Sequence, residues 1–301
     1  MGGRFARIVA SPWIPAGISA QSATVINIDR TRVSLAKFRL YSRRGCQSRR
    51  FMQNDQELVL EILNKGELAI KGEFLWGSNY TFLVDVTHAQ GSLAAVYKPT
   101  RGVRPLWDFP NTSLARRETA AFLVSEALTW RLVPPTIFRK KGPLGAGSVQ
   151  LFIEHDPQYH YFNFSDEDRQ RLLPVALFDL LVNNADRKGS HILIDPQKQL
   201  WLIDHGLCFH VEDKLRTVIW DFVDVLIPAP LLEDIERFSR QLRAGLAQDV
   251  DGSLPAWWAS LRRCLSLAEL RLLVQRAQTL LESGRFPAPD PARRHFPWPQ
   301  I

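Results

Sequence analysis

The apolar and polar positions pass through three regimes along the chain. Residues 1–53 hold neither a helical nor a strand period for long. From Asp55 the run "DQELVLEILNKG" repeats at helical spacing, with Asp55 as N-cap, Glu57 and Leu58 in the first turn, and Lys65-Gly66 as its stop. Segments rich in β-branched and aromatic residues then predict strands over 67–75, 80–86 and 93–99. Trp76-Gly77-Ser78-Asn79 supplies turn chemistry between the first two. A loop bearing Pro and Gly, 100–113, leads into a helix predicted over 114–130, capped by Ser113 and kept from continuing by Pro134-Pro135.

The strand pattern returns over 148–155. A helix is predicted over 166–183 in spite of Pro174, and two short apolar strands, 191–195 and 199–206, flank a turn bearing Asp195-Pro196. Amphipathic helices over 229–247, 254–263 and 266–283 precede a Pro-rich, extended tail. No internal repeat is visible. Strands gathered ahead of helices imply an α+β chain with two lobes. The expected organisation is a basic extension without stable structure over 1–53, an N-terminal lobe over 54–155 with an antiparallel sheet and one long helix, a mainly helical C-terminal lobe over 156–284, and a tail over 285–301.

Composition changes this picture little. Hydrophobic residues are 46% and charged residues 23% of 301, ordinary for a globular protein large enough to bury a core. No uncharged apolar run is long enough to span a bilayer. Cys46, Cys208 and Cys264 are too few and too scattered for a disulfide framework or a metal knuckle, which fits a reducing cytoplasm. The net charge of +7 is uneven: residues 1–53 carry ten Lys/Arg against Asp29 alone, so the remainder is slightly acidic. That extension is Arg-rich and acid-poor like a transit peptide, without the layout of a secretory signal; a start codon upstream of the true one is another reading. It would suit an anionic membrane surface. Nucleic-acid binding would rest on it alone and is disfavoured.

Four features carry chemistry. Lys98 ends the strand "AAVYK", where a cation can hold nucleotide phosphates; a lysine leaving a strand is more often just solvated. Glu118 lies in the next helix and is the candidate to fix Lys98, with Glu126 as runner-up. The polar run Asn183-Asn184-Ala185-Asp186-Arg187-Lys188-Gly189-Ser190-His191 follows a helix, and Asp186 can orient or deprotonate a hydroxyl; taken alone it is also a plain helix cap. Asp204-His205-Gly206 closes an apolar strand 18 residues later, as an Asp-x-Gly metal motif does. In this order, lysine, glutamate, loop aspartate and strand-end aspartate suit a kinase fold. Asp204 would hold Mg²⁺, with His191 or Asn184 as a second ligand. His205, Cys208 and His210 are poorly spaced for zinc.

The segments "VYKPTRGVRP", "RRETAAFLVSEA", "VPPT", "NNADRKGSHILI" and "LWLIDHGLCF" together resemble the type II branch of phosphatidylinositol 3-/4-kinase-like proteins, distantly related to HipA-like kinases. The likeness covers about residues 66–225 and is strongest to a bacterial group marked by "RPLWDFP" and "HVEDKLRTVIWDF". It implies a bilobal kinase-like fold that binds ATP with Mg²⁺ and transfers a phosphoryl group. It assigns Lys98 to the phosphates, Asp186 to the catalytic loop and Asp204 to the metal. It also places adenine on the strand holding Gln150, Phe152 and Glu154, and phosphates at a loop holding Ser78 and Asn79, which lacks a full Gly-rich motif. The family has Asn where this chain has His191. A nitrogen ligand is unusual for Mg²⁺ and points to Mn²⁺ use or to weakened catalysis.

The sequence therefore supports an ATP-dependent kinase whose hydroxyl acceptor, lipid, protein or small molecule, is open. The alternative is a catalytically weak or inactive nucleotide-binding pseudokinase. Transfer of another part of the nucleotide, such as AMP, is a third option. Asp213, Lys214 and Arg216, just after the metal motif, are placed either to meet an acidic substrate or to fold back on the core.

Overall fold

The computed structural model describes residues 48–74, 80–101, 106, 108–247 and 254–301. Ser78, Asn79 and most of the basic extension lie outside these residues. The chain divides into two compact units, 1–104 with 137–152 and 105–136 with 153–301.

The first unit is built on a five-stranded sheet. Its strands are β1 (Glu67–Glu73), β2 (Phe82–His88), β3 (Gly91–Pro99), β4 (Thr136–Arg139) and β5 (Gly147–Leu151), in the order β1-β2-β3-β5-β4. The β1–β2, β2–β3 and β3–β5 pairs are antiparallel. Phe82, Val84 and Val86 alternate inward along β2 and join Ala95, Tyr97 and Val149 against Ile62 and Leu63 of a long helix, α1 (Ser48–Lys65). That helix starts seven residues before the expected cap, Asp55, which lies inside it. No Gly or Pro interrupts the added segment, and Arg, Met and Gln favour helix. Since Tyr97 faces the core, Lys98 points to the other face of the sheet, where it stands opposite Ser148.

The second unit holds the remaining elements: α2 (Leu114–Ala127), α3 (Asp166–Gln170), α4 (Leu173–Val182), the hairpin β6 (Ile192–Ile194) and β7 (Leu200–Leu202), α5 (Ala229–Ala247), α6 (Ala256–Cys264) and α7 (Leu267–Ser283). The sequence grouped 105–136 with the sheet, but here α2 packs on α6 and its Arg117 is ion-paired to Glu269 of α7. Three further expectations change. Pro174 does not ride inside one long helix; it sits in the first turn of α4, because an interior proline would remove a hydrogen bond and clash with the preceding turn. The helix over 114–130 ends at Ala127, where Thr129 and Arg131 take left-handed backbone conformations. Ser113 does not cap α2 through a backbone N–H; its hydroxyl donates to Pro110 and accepts from Arg117 Nε. The last three helices stand close to their predicted bounds, with Gly284 in the left-handed region (φ 58°) closing α7.

The tail beyond α7 is irregular but anchored. Phe286 is buried, His295 accepts from the Thr217 N–H, and Gln300 accepts from the Gly189 N–H. Among the described residues no helix is long and apolar enough to cross a membrane.

Candidate active site

Helix α4 reads LPVALFDLLV, apolar except for Asp179, which is fully buried. A carboxylate in that setting requires a cationic partner. Arg187 supplies it, five residues after the helix ends, and is also fully buried. Its Nε reaches both Asp179 oxygens at 3.0 Å, and Thr217 Oγ1 donates to Oδ2 at 3.1 Å. Asn183, left-handed at φ 52°, turns the chain at the helix end, and its side-chain amide holds the carbonyls of His210 and Glu212. Asn184 donates to Asp179 and accepts the Asp186 N–H at 3.0 Å. Its amide thus positions the loop, with one lone pair of Oδ1 used by the Asp186 N–H.

The Asp186 side chain emerges from this scaffold. Burial pushes its carboxyl up to about 6; Lys188 opposes that, while the Asp204 charge adds to it. Lys188 Nζ stands 3.4 Å from Asp186 Oδ2.

Asp204 arrives on the other arm of the site. Residues Ile192–Ile194 pair antiparallel with Leu200–Leu202 around the Asp195 turn, which closes the 18-residue gap. Asp204 then adopts a left-handed φ of 62°, and its side chain is half exposed. His191 spans the two arms. Its Nδ1 lies 3.1 Å from the Asp186 carbonyl and its Nε2 lies 3.4 Å from Asp204 Oδ2. With Nδ1 donating to that carbonyl, Nε2 faces the carboxylate either as an imidazolium donor or as a lone pair that a cation would bridge.

His205, the residue after Asp204, is fully buried. Arg187 donates to its Nε2 at 2.8 Å, so the ring proton sits on Nδ1, which lies 4.0 Å from Glu118 Oε2. The same Glu118 oxygen accepts the His205 backbone N–H at 2.9 Å. Arg117, next on α2, bonds the Cys208 carbonyl and Glu269. A buried polar chain thus runs from Asp179 through Arg187 and His205 to Glu118, holding the Asp204 turn to the Asp186 loop. Asp179 and His205 were not picked out as functional from the sequence. The one available signal was a lone acid in an otherwise apolar helix, followed closely by an arginine.

Other expected residues fall as follows. Lys98, Gln150 and Phe152 belong to the sheet unit, whereas Glu118 and Glu154 belong to the helical unit. Gln150 lies opposite Val96 in the β3–β5 ladder, and the Phe152 N–H donates to Ala94. Glu154 is exposed in the segment after β5. Lys214 folds back into ion pairs with Asp108 and Glu212. Cys208 is buried with its thiol pushed up by burial, and His210 contacts the Asp108 carbonyl, so neither serves a zinc site with His205.

Among the described residues no group of three or more His, Cys, Asp or Glu side chains is arranged to hold a metal ion alone. Mg²⁺ at phosphoryl-transfer sites takes one or two carboxylates and completes its shell with phosphate oxygens and water. Asp204, with Asp186 near enough to feel its charge, suits that arrangement and not a dedicated protein cage.

No family model matches the chain. Similar solved structures include hydra Fam20 with sugar (13% identity, TM-score 0.45, covering 77% of this chain and 89% of that one). Another is the Golgi casein kinase with Mn/ADP bound (16%, TM-score 0.40, 79% and 81%). A third is the Helicobacter pylori proinflammatory kinase CtkA (10%, TM-score 0.44, 73% and 97%). In sequence, Protein Rv2133c of Mycobacterium tuberculosis is 38% identical over 273 residues, spanning 79% of this chain and 94% of that protein. The chain belongs to the family of Protein Rv2133c.

Proposed function

We propose that the protein is an ATP-dependent phosphotransferase of the phosphatidylinositol 3-/4-kinase-like type, acting on a hydroxyl. The observation that carries this reading is the partly buried Asp186, its carboxyl raised to about 6, held beside Asp204 by a scaffold that includes the Asp179–Arg187 pair. Asp186 orients the acceptor hydroxyl and takes its proton. The hydroxyl oxygen bonds to the γ-phosphorus, the bond from that phosphorus to the β–γ bridging oxygen breaks, and ADP departs with the electron pair. A divalent ion at Asp204, with His191 and Asp186 nearby, would neutralise phosphate charge. Lys98 is assigned to the nucleotide phosphates. Because the Phe152 N–H is engaged by Ala94, adenine recognition falls first to the backbone at Glu154.

The test is ATP turnover by purified protein with Mg²⁺ or Mn²⁺. We expect metal-dependent ADP release that is lost in both Asp204→Ala and Asp186→Ala. Turnover untouched by Asp204→Ala would sink the assignment. His191, a nitrogen beside the metal aspartate, favours Mn²⁺ over Mg²⁺. It also motivates a second reading, a non-catalytic nucleotide binder, which nucleotide binding without turnover in either metal would support.

A further inference from the structure

The tail beyond α7 ends against the loop that carries Asp186. Five of its residues over 285–301 are proline, which denies it a helix and leaves its carbonyls open to donors from other segments. It first runs along 213–225. The Asp224 N–H donates to the Phe286 carbonyl at 3.0 Å, and Arg293 Nη1 meets Asp213 Oδ2 at 2.9 Å. The His295 carbonyl accepts from the Thr217 N–H at 3.1 Å and from Trp220 Nε1 at 3.3 Å. Thr217 is the residue whose hydroxyl donates to Asp179. The tail then reaches the loop itself, where the Gln300 carbonyl accepts the Gly189 N–H at 2.8 Å.

Gly189 sits between the two arms of the site. It is buried, so its N–H needs an acceptor. Lys188 before it stands 3.4 Å from Asp186 Oδ2, and His191 two residues after it stands 3.4 Å from Asp204 Oδ2. Gly189 also packs so closely on Phe162 that a Cβ would lie 2.8 Å from the ring. The loop is thus held by Phe162 and by Gln300. Beyond the buried Pro297 the tail buries no large apolar side chain: Trp298 is 79% exposed and Ile301 57%. What these last residues supply is the carbonyl on Gly189, not a share of the core.

We propose that residues 298–301 form a positioning strap for the Asp186 loop: through the Gln300 carbonyl they fix Gly189, and with it Lys188 and His191 relative to Asp186 and Asp204. The hold on the loop stands on geometry, while its effect on turnover rests on the phosphotransferase reading. The strap acts by orientation, where a displacement on the order of 1 Å costs up to about a hundred-fold in rate.

The test compares the full chain with chains ending at Pro297 and at Gln300. The first loses the Gln300 carbonyl, whereas the second loses only Ile301 and keeps an acceptor in place. In the chain ending at Pro297, amide exchange read by NMR should quicken at Gly189 by about three- to ten-fold, the worth of one net hydrogen bond, with the α4 and α7 amides unchanged. Its kcat for ATP turnover should fall about ten- to a hundred-fold. KM for ATP and the stoichiometry of ADP binding should stay within about two-fold of the full chain, which separates lost orientation from lost folded protein. The chain ending at Gln300 should match the full chain throughout. If the chain ending at Pro297 does not fold, one ending at Pro299 takes its place. Unchanged exchange at Gly189 overturns the strap. Faster exchange with kcat unchanged or raised overturns its positioning role. If exchange quickens while the full chain shows no ATP turnover with either metal, the hold on the loop stands and only the phosphotransferase reading falls.

Discussion

The two units differ in buried charge: among the described residues every buried Asp, Glu, Arg or Lys side chain lies in the helical unit. In the sheet unit, the cluster around Leu63, Val84, Tyr97 and Val149 is apolar. In the helical unit, Arg117, Glu118, Asp179, Asn184, Arg187 and His205 are all buried, with the apolar residues of α4 among them. An apolar cluster yields by degrees, because each lost methylene removes contact and leaves a small void. A buried polar network fails as a unit, because removing one member leaves its partners desolvated and unpaired. The difference sorts scaffold from site: the sheet unit needs shape, whereas the candidate site needs fixed partners for its charges.

The sharpest way to break this contrast is Asp179→Ala. Leaving Arg187 buried without its carboxylate should cost about 3–5 kcal/mol, read as a lower denaturation midpoint. Hydrogen exchange should show protection lost over 183–191 and in the 203–209 turn, with the β2 and β3 amides still protected; loss spread evenly over both units would contradict it. Leu63→Ala is the counterpart in the apolar cluster. It should cost about 2–4 kcal/mol and leave exchange in the 183–191 loop unchanged. The smallest effect has the opposite sign. Asp186 carries a carboxyl raised to about 6, so between pH 4 and 6 the folded state holds a proton that the unfolded chain has released. Its contribution to stability therefore falls as pH rises through that window. Asp186→Asn should melt higher than wild type at pH 8, by on the order of 1–3 kcal/mol, and no higher at pH 4. Equal melting of both proteins at pH 8 would argue against the burial strain assigned to this carboxylate.

The same contrast explains what the sequence disclosed. The helices α5, α6 and α7 and the strands β2 and β3 follow strong local periods, so their bounds were legible. The break at Pro174 was underweighted because the apolar spacing runs on through it. β4 was not foreseen: it follows Pro134-Pro135 and holds four residues, too few to show a period. In the site, Asp186, His191 and Asp204 were singled out by motif order, and the hairpin sets His191 beside Asp204. His205 and Asp179 were not, because their partners Glu118, Arg187 and Thr217 come from distant segments and no local pattern signals a buried network. Glu118, expected from the sequence as a partner for Lys98, holds the His205 backbone.

Whether Asp186 performs chemistry or merely packs is read from kcat for ATP turnover in Asp186→Asn, measured beside its melting curve. A general base at this position implies a loss of about a hundred- to ten-thousand-fold in kcat from a protein that melts at or above the wild-type temperature at pH 8. Turnover within a few-fold of wild type, in the same well-folded variant, would contradict it.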